Sequence, residues 1–177
     1  MSTTPLHSSA SNGAAERAIR SVDDEARTLR YDVEDRYGIK LTPDSVLWPW
    51  VVRHAAFLTA RFAKRGSGTT SYQGAYGHSY TGELCPFGET VLFRIPKQSK
   101  RTHKADSAWR HGIWVGKAEE SDEHLLATPD GIQRARTVRR LEPQGRADKA
   151  MFEQAVDRKS TRLNSSHSQQ SRMPSSA

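Results

Sequence analysis

The chain has 177 residues and a formal net charge of +7, and 35% of its residues are apolar, a low share for a packed domain of this length; part of it is therefore expected to lie outside any core, or to belong to a longer protein. A single cysteine, Cys85, excludes an internal disulfide and a multi-cysteine zinc site. No apolar run reaches the roughly 18 residues of a membrane span and no signal peptide is visible, so a nuclear or cytoplasmic chain with no membrane partner is expected.

Residues 1–11 are rich in Ser, Thr and Pro and read as an irregular lead-in, with His7 as a solvated loop histidine. Asn12-Gly13 is a loop signal, because both residues tolerate positive φ. A helix is expected from about Gly13 to Tyr37, with Gly38 as its stop. Ala15, Ala18, Ile19, Val22, Ala26, Leu29 and Val33 recur at three- and four-residue steps and form its apolar stripe. The opposite face, with Arg20, Asp23, Asp24, Arg27, Arg30, Glu34 and Asp35, reads as solvated. Glu16 falls in the expected first turn, where the helix dipole favours a carboxylate. Taken alone it reads as a surface residue.

Thr42-Pro43-Asp44 signals a second helix start. Trp48, Val51, Val52, Ala55, Leu58 and Phe62 make its stripe, and His54 falls off it as a surface or boundary histidine. Lys64-Arg65-Gly66-Ser67-Gly68 reads as the helix end and a linker. Tyr72, Tyr76 and Tyr80 recur every four residues, but the glycines among them favour an ordered loop. Interleaved aromatics can stack on bases; covering a neighbouring domain is the preferred reading.

After Phe87 the period becomes two. Val91, Phe93 and Ile95 mark a strand ending at Pro96. The basic loop with Lys97, Lys100, Arg101 and Lys104 reads as a solvated turn or as a phosphate contact. A second strand is expected over Gly112 to Lys117. A hairpin is expected from Glu123–Ala127 and Ile132–Leu141 across Thr128-Pro129-Asp130-Gly131. Alternation along its last strand would put Arg134, Arg136 and Arg140 on one side. Pro143 to Val156 reads as a short helix or linker. The expected fold class is α+β, two helices followed by a small antiparallel sheet or barrel. The units expected are 1–66, 67–142, 143–156 and a tail over 157–177.

That tail opens Asp157-Arg158-Lys159-Ser160-Thr161-Arg162-Leu163-Asn164-Ser165-Ser166-His167, which resembles a translated sequencing adapter; Ser171 to Ala177 resembles its continuation. Of the net +7, its Arg158, Lys159, Arg162 and Arg172 against Asp157 account for +3, leaving +4 on the remainder. A mildly basic body is compatible with a nucleic-acid partner.

Asn12-Gly13-Ala14-Ala15-Glu16-Arg17, opening an amphipathic helix, resembles the last motif of the retroviral-type integrase core, as found in copia-type retrotransposons. Trp48-Pro49-Trp50, Ala55-Ala56-Phe57-Leu58 and Arg61-Phe62 resemble the next helix of those integrases. Pro86-Phe87-Gly88-Glu89 and Gly112-Ile113-Trp114-Val115-Gly116 resemble their downstream β segment. The likeness runs in order from about His7 to Leu141. It implies two helices from the end of a ribonuclease H-like core, then a β module.

It further implies that Glu16 is the third acid of an Asp, Asp, Glu triad holding Mg²⁺ or Mn²⁺, framed by Asn12, Gly13 and Arg17. Such sites join DNA by two-metal, in-line attack at phosphorus. The family's two aspartates fall upstream of Met1. Asp23 and Asp24 cannot replace them, being about two turns on along the same helix. The chain as given is therefore expected not to catalyse. DNA is the expected partner, and a homo-oligomer is implied for the full-length protein. The DNA-contact candidates are Arg17, Arg20, Lys97, Lys100, Arg101, Lys104, Arg134, Arg136 and Arg140. Two rival readings stand beside this one: a non-catalytic nucleic-acid-binding protein or decayed transposon remnant, and a purely structural domain without DNA affinity.

Overall fold

The computed structural model describes residues 9–95 and 107–156. Residues 1–8 of the lead-in, with His7, the basic loop with Lys97, Lys100, Arg101 and Lys104, and the adapter-like tail lie outside the described residues; residues 9–11, expected to be irregular, are helical. Three helices come first: α1 Ser9–Tyr37, α2 Trp48–Phe62 and α3 Ser71–Tyr76. Five strands follow: β1 Thr90–Arg94, β2 Trp109–Lys117, β3 His124–Thr128, β4 Gly131–Ala135 and β5 Val138–Arg140. A 3₁₀ turn over Pro143–Gly145 leads to α4, Lys149–Val156. The class is α+β, with an entirely antiparallel sheet.

Helix α1 begins before Asn12-Gly13, so that pair is helical and not a loop. The alanines that follow are the best helix formers and offset the roughly 1 kcal/mol that an interior glycine costs. The apolar stripe is covered only from Val22 onward. Ala26, Val33 and Tyr37 are buried, whereas Ala15 and Ala18 are exposed and Ile19 is 61% exposed. Helix α2 starts later than Thr42-Pro43-Asp44 suggests. Residues 43–47 instead form turns, with Ser45 N donating to Thr42 O at 2.9 Å and Trp48 N to Ser45 O at 3.0 Å. Pro49 gives the reason. In a helix begun at Pro43 it would be interior and would clash with the carbonyl four residues back, whereas at the start of α2 it costs nothing.

The tyrosine segment also departs from expectation. Thr70 and Gln73 form a reciprocal capping box, and Gly77 closes the turn at φ 77°, so Ser71–Tyr76 is helical despite Gly74. Tyr72 and Tyr76 share one face of α3, while Tyr80 comes after it.

The strand order is β4-β3-β2-β1-β5. β4 and β5 are thus opposite edges, yet only Arg136 and Thr137 join them. Five strands laid flat would put those edges about 19 Å apart. Three Cα–Cα steps span at most about 11 Å. The sheet is therefore rolled into a small, nearly closed barrel. The single strand expected over Ile132–Leu141 does not exist, and Arg134, Arg136 and Arg140 do not share a side. Arg134 is on β4, Arg136 is in the link, and Arg140 is on β5 against Val91 of β1.

Alternation along β1, β2 and β3 builds two cores. Inside the barrel lie Cys85, Val91, Phe93, Trp114, Leu126, Ala135 and Val138. Outside, Ile113, Val115, Leu125 and Ala127 pack against Val33 and Tyr37 of α1, Val51 and Ala55 of α2, and Phe152 and Ala155 of α4. One core thus runs through residues 26–155 and couples the helices to the barrel. Each large side chain so buried contributes about 1.5–3 kcal/mol.

The docking of α1 is specific. Tyr37 Oη donates to Gly88 O at 2.6 Å, and Arg36 Nη1 donates to Phe87 O at 2.8 Å. Gly88 sits at φ 78°, and a Cβ there would lie 2.9 Å from Val33 Cγ2, so the close approach of helix and turn requires glycine. Among the described residues no helix is long and apolar enough to cross a membrane.

Candidate nucleic-acid interface

Glu16 lies seven residues into α1 and is exposed. The dipole argument therefore does not apply to it, because that effect fades beyond the first turn. Among the described residues no three His, Cys, Asp or Glu side chains converge to hold a metal ion. Divalent magnesium takes several hard oxygen ligands, and Glu16 on its own does not meet that demand. The residues described here do not fit a metal centre.

Arg17 has a different setting. Helix α2 runs back along α1, and the start of α1 and the end of α2 border one groove of about 640 Å³. Its walls are Ala14, Arg17, Ala18 and Ser21 on one side, and Thr59, Ala63, Lys64, Arg65, Gly66 and Ser71 on the other. Three cations and three hydroxyls line it with no carboxylate among them, and small side chains keep it open. At 100° per residue, Glu16 points roughly 150° away from the middle of the groove-facing set, and Arg20 roughly 110° away. Glu16 and Arg20, four residues apart, therefore project on one side of α1, as expected, but that side is not the groove; of Glu16, Arg17 and Arg20, only Arg17 lines it.

The far wall is held by its own backbone. Lys64 and Thr70 pair as an isolated bridge. Arg65 N donates to Thr69 O at 2.9 Å, and Gly68 N to Arg65 O at 2.8 Å. Arg65 Nη2 donates to Ser71 Oγ at 2.7 Å, which aims the guanidinium along the wall. Lys64 and Arg65 are the groove residues that sequence reading missed. Their run of basic residues and glycines reads in sequence as a helix end and a linker; its return as a tight loop beside α1 is a tertiary fact.

The arginines of the barrel are largely engaged within the protein. Arg140 grips Glu89 with both Nε and Nη2 at 2.7 Å, and Arg146 Nε adds a contact at 3.7 Å. Glu89 is 2% exposed, so this pair is structural. Arg136 Nε lies 3.4 Å from Glu123 on the surface. Arg139 covers the Trp109 ring at 4.5 Å. Arg134 is exposed on the edge strand β4.

Two histidines are buried, His54 on α2 and His124 on β3, one on either side of Trp114. His54 is not at the surface. Its ring stacks on Phe57 and Phe87 at 5.8 and 5.6 Å and meets the edge of Trp114 at 5.0 Å. The apolar stripe of α2 is wide, because both α1 and β2 pack on that helix. His124 Nδ1 accepts a hydrogen bond from Trp114 Nε1 at 3.0 Å, so the neutral ring carries its proton on Nε2. Burial, helped by the nearby Arg53 cation for His54 and by Lys117 for His124, holds both imidazoles down to about 4. Burial also pushes the Cys85 thiol up to about 11, which makes it inert.

No protein-family model, curated protein or solved structure matches this chain.

Proposed function

We propose that this chain binds nucleic acid, and that it is the end of a retroviral-type integrase core of ribonuclease H-like descent, followed by a small β barrel. The observation that carries the binding reading is the groove between α1 and α2, with Arg17 in one wall, Lys64 and Arg65 in the other, and no acid in its lining. Such a surface attracts phosphates and releases their counterions on contact. Two observations support the ancestral part. The motif Asn12 to Arg17 lies near the start of a long helix, with Ala14 to Arg17 exposed. The apolar stripe of that helix also continues through Ala15 and Ile19, past the residues that cover it here, which suits a surface that meets a further body in a longer protein.

The proposal for this chain is binding and not catalysis. Glu16 would become a metal ligand only with carboxylates supplied from outside the described residues. The groove stands independently of that role, because Glu16 faces away from it. The test is fluorescence anisotropy of the whole chain with short DNA over a range of salt. Binding that weakens steeply with salt supports the reading. No binding at low salt, or a flat response, rejects it.

A further inference from the structure

Beside the basic groove, α2 and α3 hold out aromatic rings that the barrel does not need. Phe62 is 48% exposed and Tyr76 65% exposed, so neither serves a core. They belong to one connected set. Tyr72 lies 4.5 Å from Tyr76, 5.6 Å from His78 and 5.4 Å from Tyr80, and Phe62 lies 5.9 Å from Tyr80. Beneath them the Arg61 guanidinium sits 3.6 Å above the Phe57 ring and 5.3 Å from both Tyr72 and Tyr80. That cation ties the rings together from below.

The far end is pinned as well. Tyr80 Oη donates to Asp122 Oδ1 at 2.6 Å. A Cβ at Gly82 would lie 2.0 Å from Tyr80 Oη, so glycine leaves room for that ring. Tyr72 and Tyr80 are thus held in place, and Tyr76 and Phe62 are the exposed rings that pack against them.

Its position relative to the groove gives it meaning. Ala63 and Ser71 are groove walls, and Phe62 and Tyr72 are their immediate neighbours in sequence. Each is turned about 100° on its helix from that wall residue, so the rings flank the groove and do not line it. A chain whose phosphates follow Arg17, Lys64 and Arg65 would meet them with bases turned out over that flank. In a duplex the base faces are already stacked and out of reach, so duplex DNA could use only the cations. Unpaired bases offer free π faces that stack on such rings whatever their sequence.

We infer that this combined surface binds single-stranded or locally unpaired nucleic acid, its backbone in the α1–α2 groove and its bases on Tyr76 and Phe62. This rests on the nucleic-acid-binding reading above and narrows it to one class of substrate.

The test uses the full chain, a labelled oligothymidine of about 12 nucleotides and its duplex with oligodeoxyadenosine, measured by anisotropy at low salt. The single strand should bind about tenfold more tightly than the duplex. Tyr76→Ala should weaken single-strand binding about tenfold, the size of one lost stacking contact, and leave duplex binding unchanged. Tyr76→Phe should restore it, because the ring and not the hydroxyl does the stacking. Tyr76 is largely exposed, and an unchanged melting temperature shows that the fold persists. Equal affinity for the two probes, or a Tyr76→Ala variant that binds the single strand normally, overturns this inference and leaves the broader reading standing. Binding to neither probe overturns both. Displacement of the oligonucleotide by oligoglutamate at equal charge would show a generic anion surface and would also overturn it.

Discussion

Lowering the pH should destabilise this protein well above the range in which most carboxylates titrate, and the two buried histidines set the size of the effect. His54 and His124 flank Trp114 and are held neutral, with their imidazoles depressed from 6.5 to about 4. The groups facing His124 are Lys117, which disfavours its protonation, and Asp122, which favours it; Arg53 faces His54. Between pH 6.5 and 4 the unfolded chain binds protons that the folded chain refuses. Stability is therefore complete above about pH 6.5 and is lost as pH falls toward 4. At pH 5 each histidine would remove about 2 kcal/mol, and the pair about 4 if independent. That is a large share of the roughly 5–15 kcal/mol available to a domain.

Protonating His124 also removes the acceptor for Trp114 Nε1. The assay is urea unfolding at a series of pH values, followed by tryptophan fluorescence. His124→Gln keeps an acceptor for the indole but cannot take up a proton, and His54→Leu removes the other site. Each variant should lose about half of the pH slope between 7 and 5, and the double variant most of it. A wild type whose stability is unchanged from pH 7 to 5, or a double variant with the full wild-type slope, would refute the reasoning.

Two further outcomes follow from particular side chains. Arg140→Ala leaves the Glu89 carboxylate buried with only the longer Arg146 contact; it should cost about 2–4 kcal/mol in urea melts, less than a fully buried pair because Arg140 is partly exposed, whereas Arg134→Ala should cost under about 0.5 kcal/mol. Glu16→Gln should change the stability of this chain by less than about 0.5 kcal/mol, and in a longer protein of the proposed integrase type, carrying two further carboxylates, it should abolish strand transfer; an active Gln variant there would contradict the proposed metal-ligand role.

The sequence made some of this architecture legible and hid the rest for identifiable reasons. Local signals carried the helical stripe from Val22 to Val33, the period-two segment at Val91 to Phe93 and the turn at Pro129-Asp130-Gly131, because each depends on neighbours in the chain. The break between β4 and β5 was not legible. Arg136-Thr137 contains no turn residue, and the chain changes edges there only because the sheet rolls up. The burial of His54 was hidden because a stripe drawn for one partner misses a helix packed on two sides. Pro43 and Pro49 both suit a helix start, and only their mutual exclusion chooses between them. Arg17 was reachable through the motif at Asn12 to Arg17, yet the groove it lines needed Lys64 and Arg65, which approach it only through the antiparallel return of α2. Glu16 and Arg17, adjacent in sequence, part company because a helix turns each residue 100° from the last.

The central claim is that the α1–α2 groove is where nucleic acid is held, and the Arg17→Ala, Lys64→Ala double variant tests it most directly. Both side chains line the groove, both residues are exposed, and neither is part of the buried core, so the melting temperature should stay near that of the wild type. Removing two phosphate contacts should make the plot of log affinity against log salt shallower by about 1.4 for a single strand and about 1.8 for a duplex, with binding weaker at every salt concentration tested. A double variant that binds with wild-type affinity and an unchanged salt slope would contradict the account.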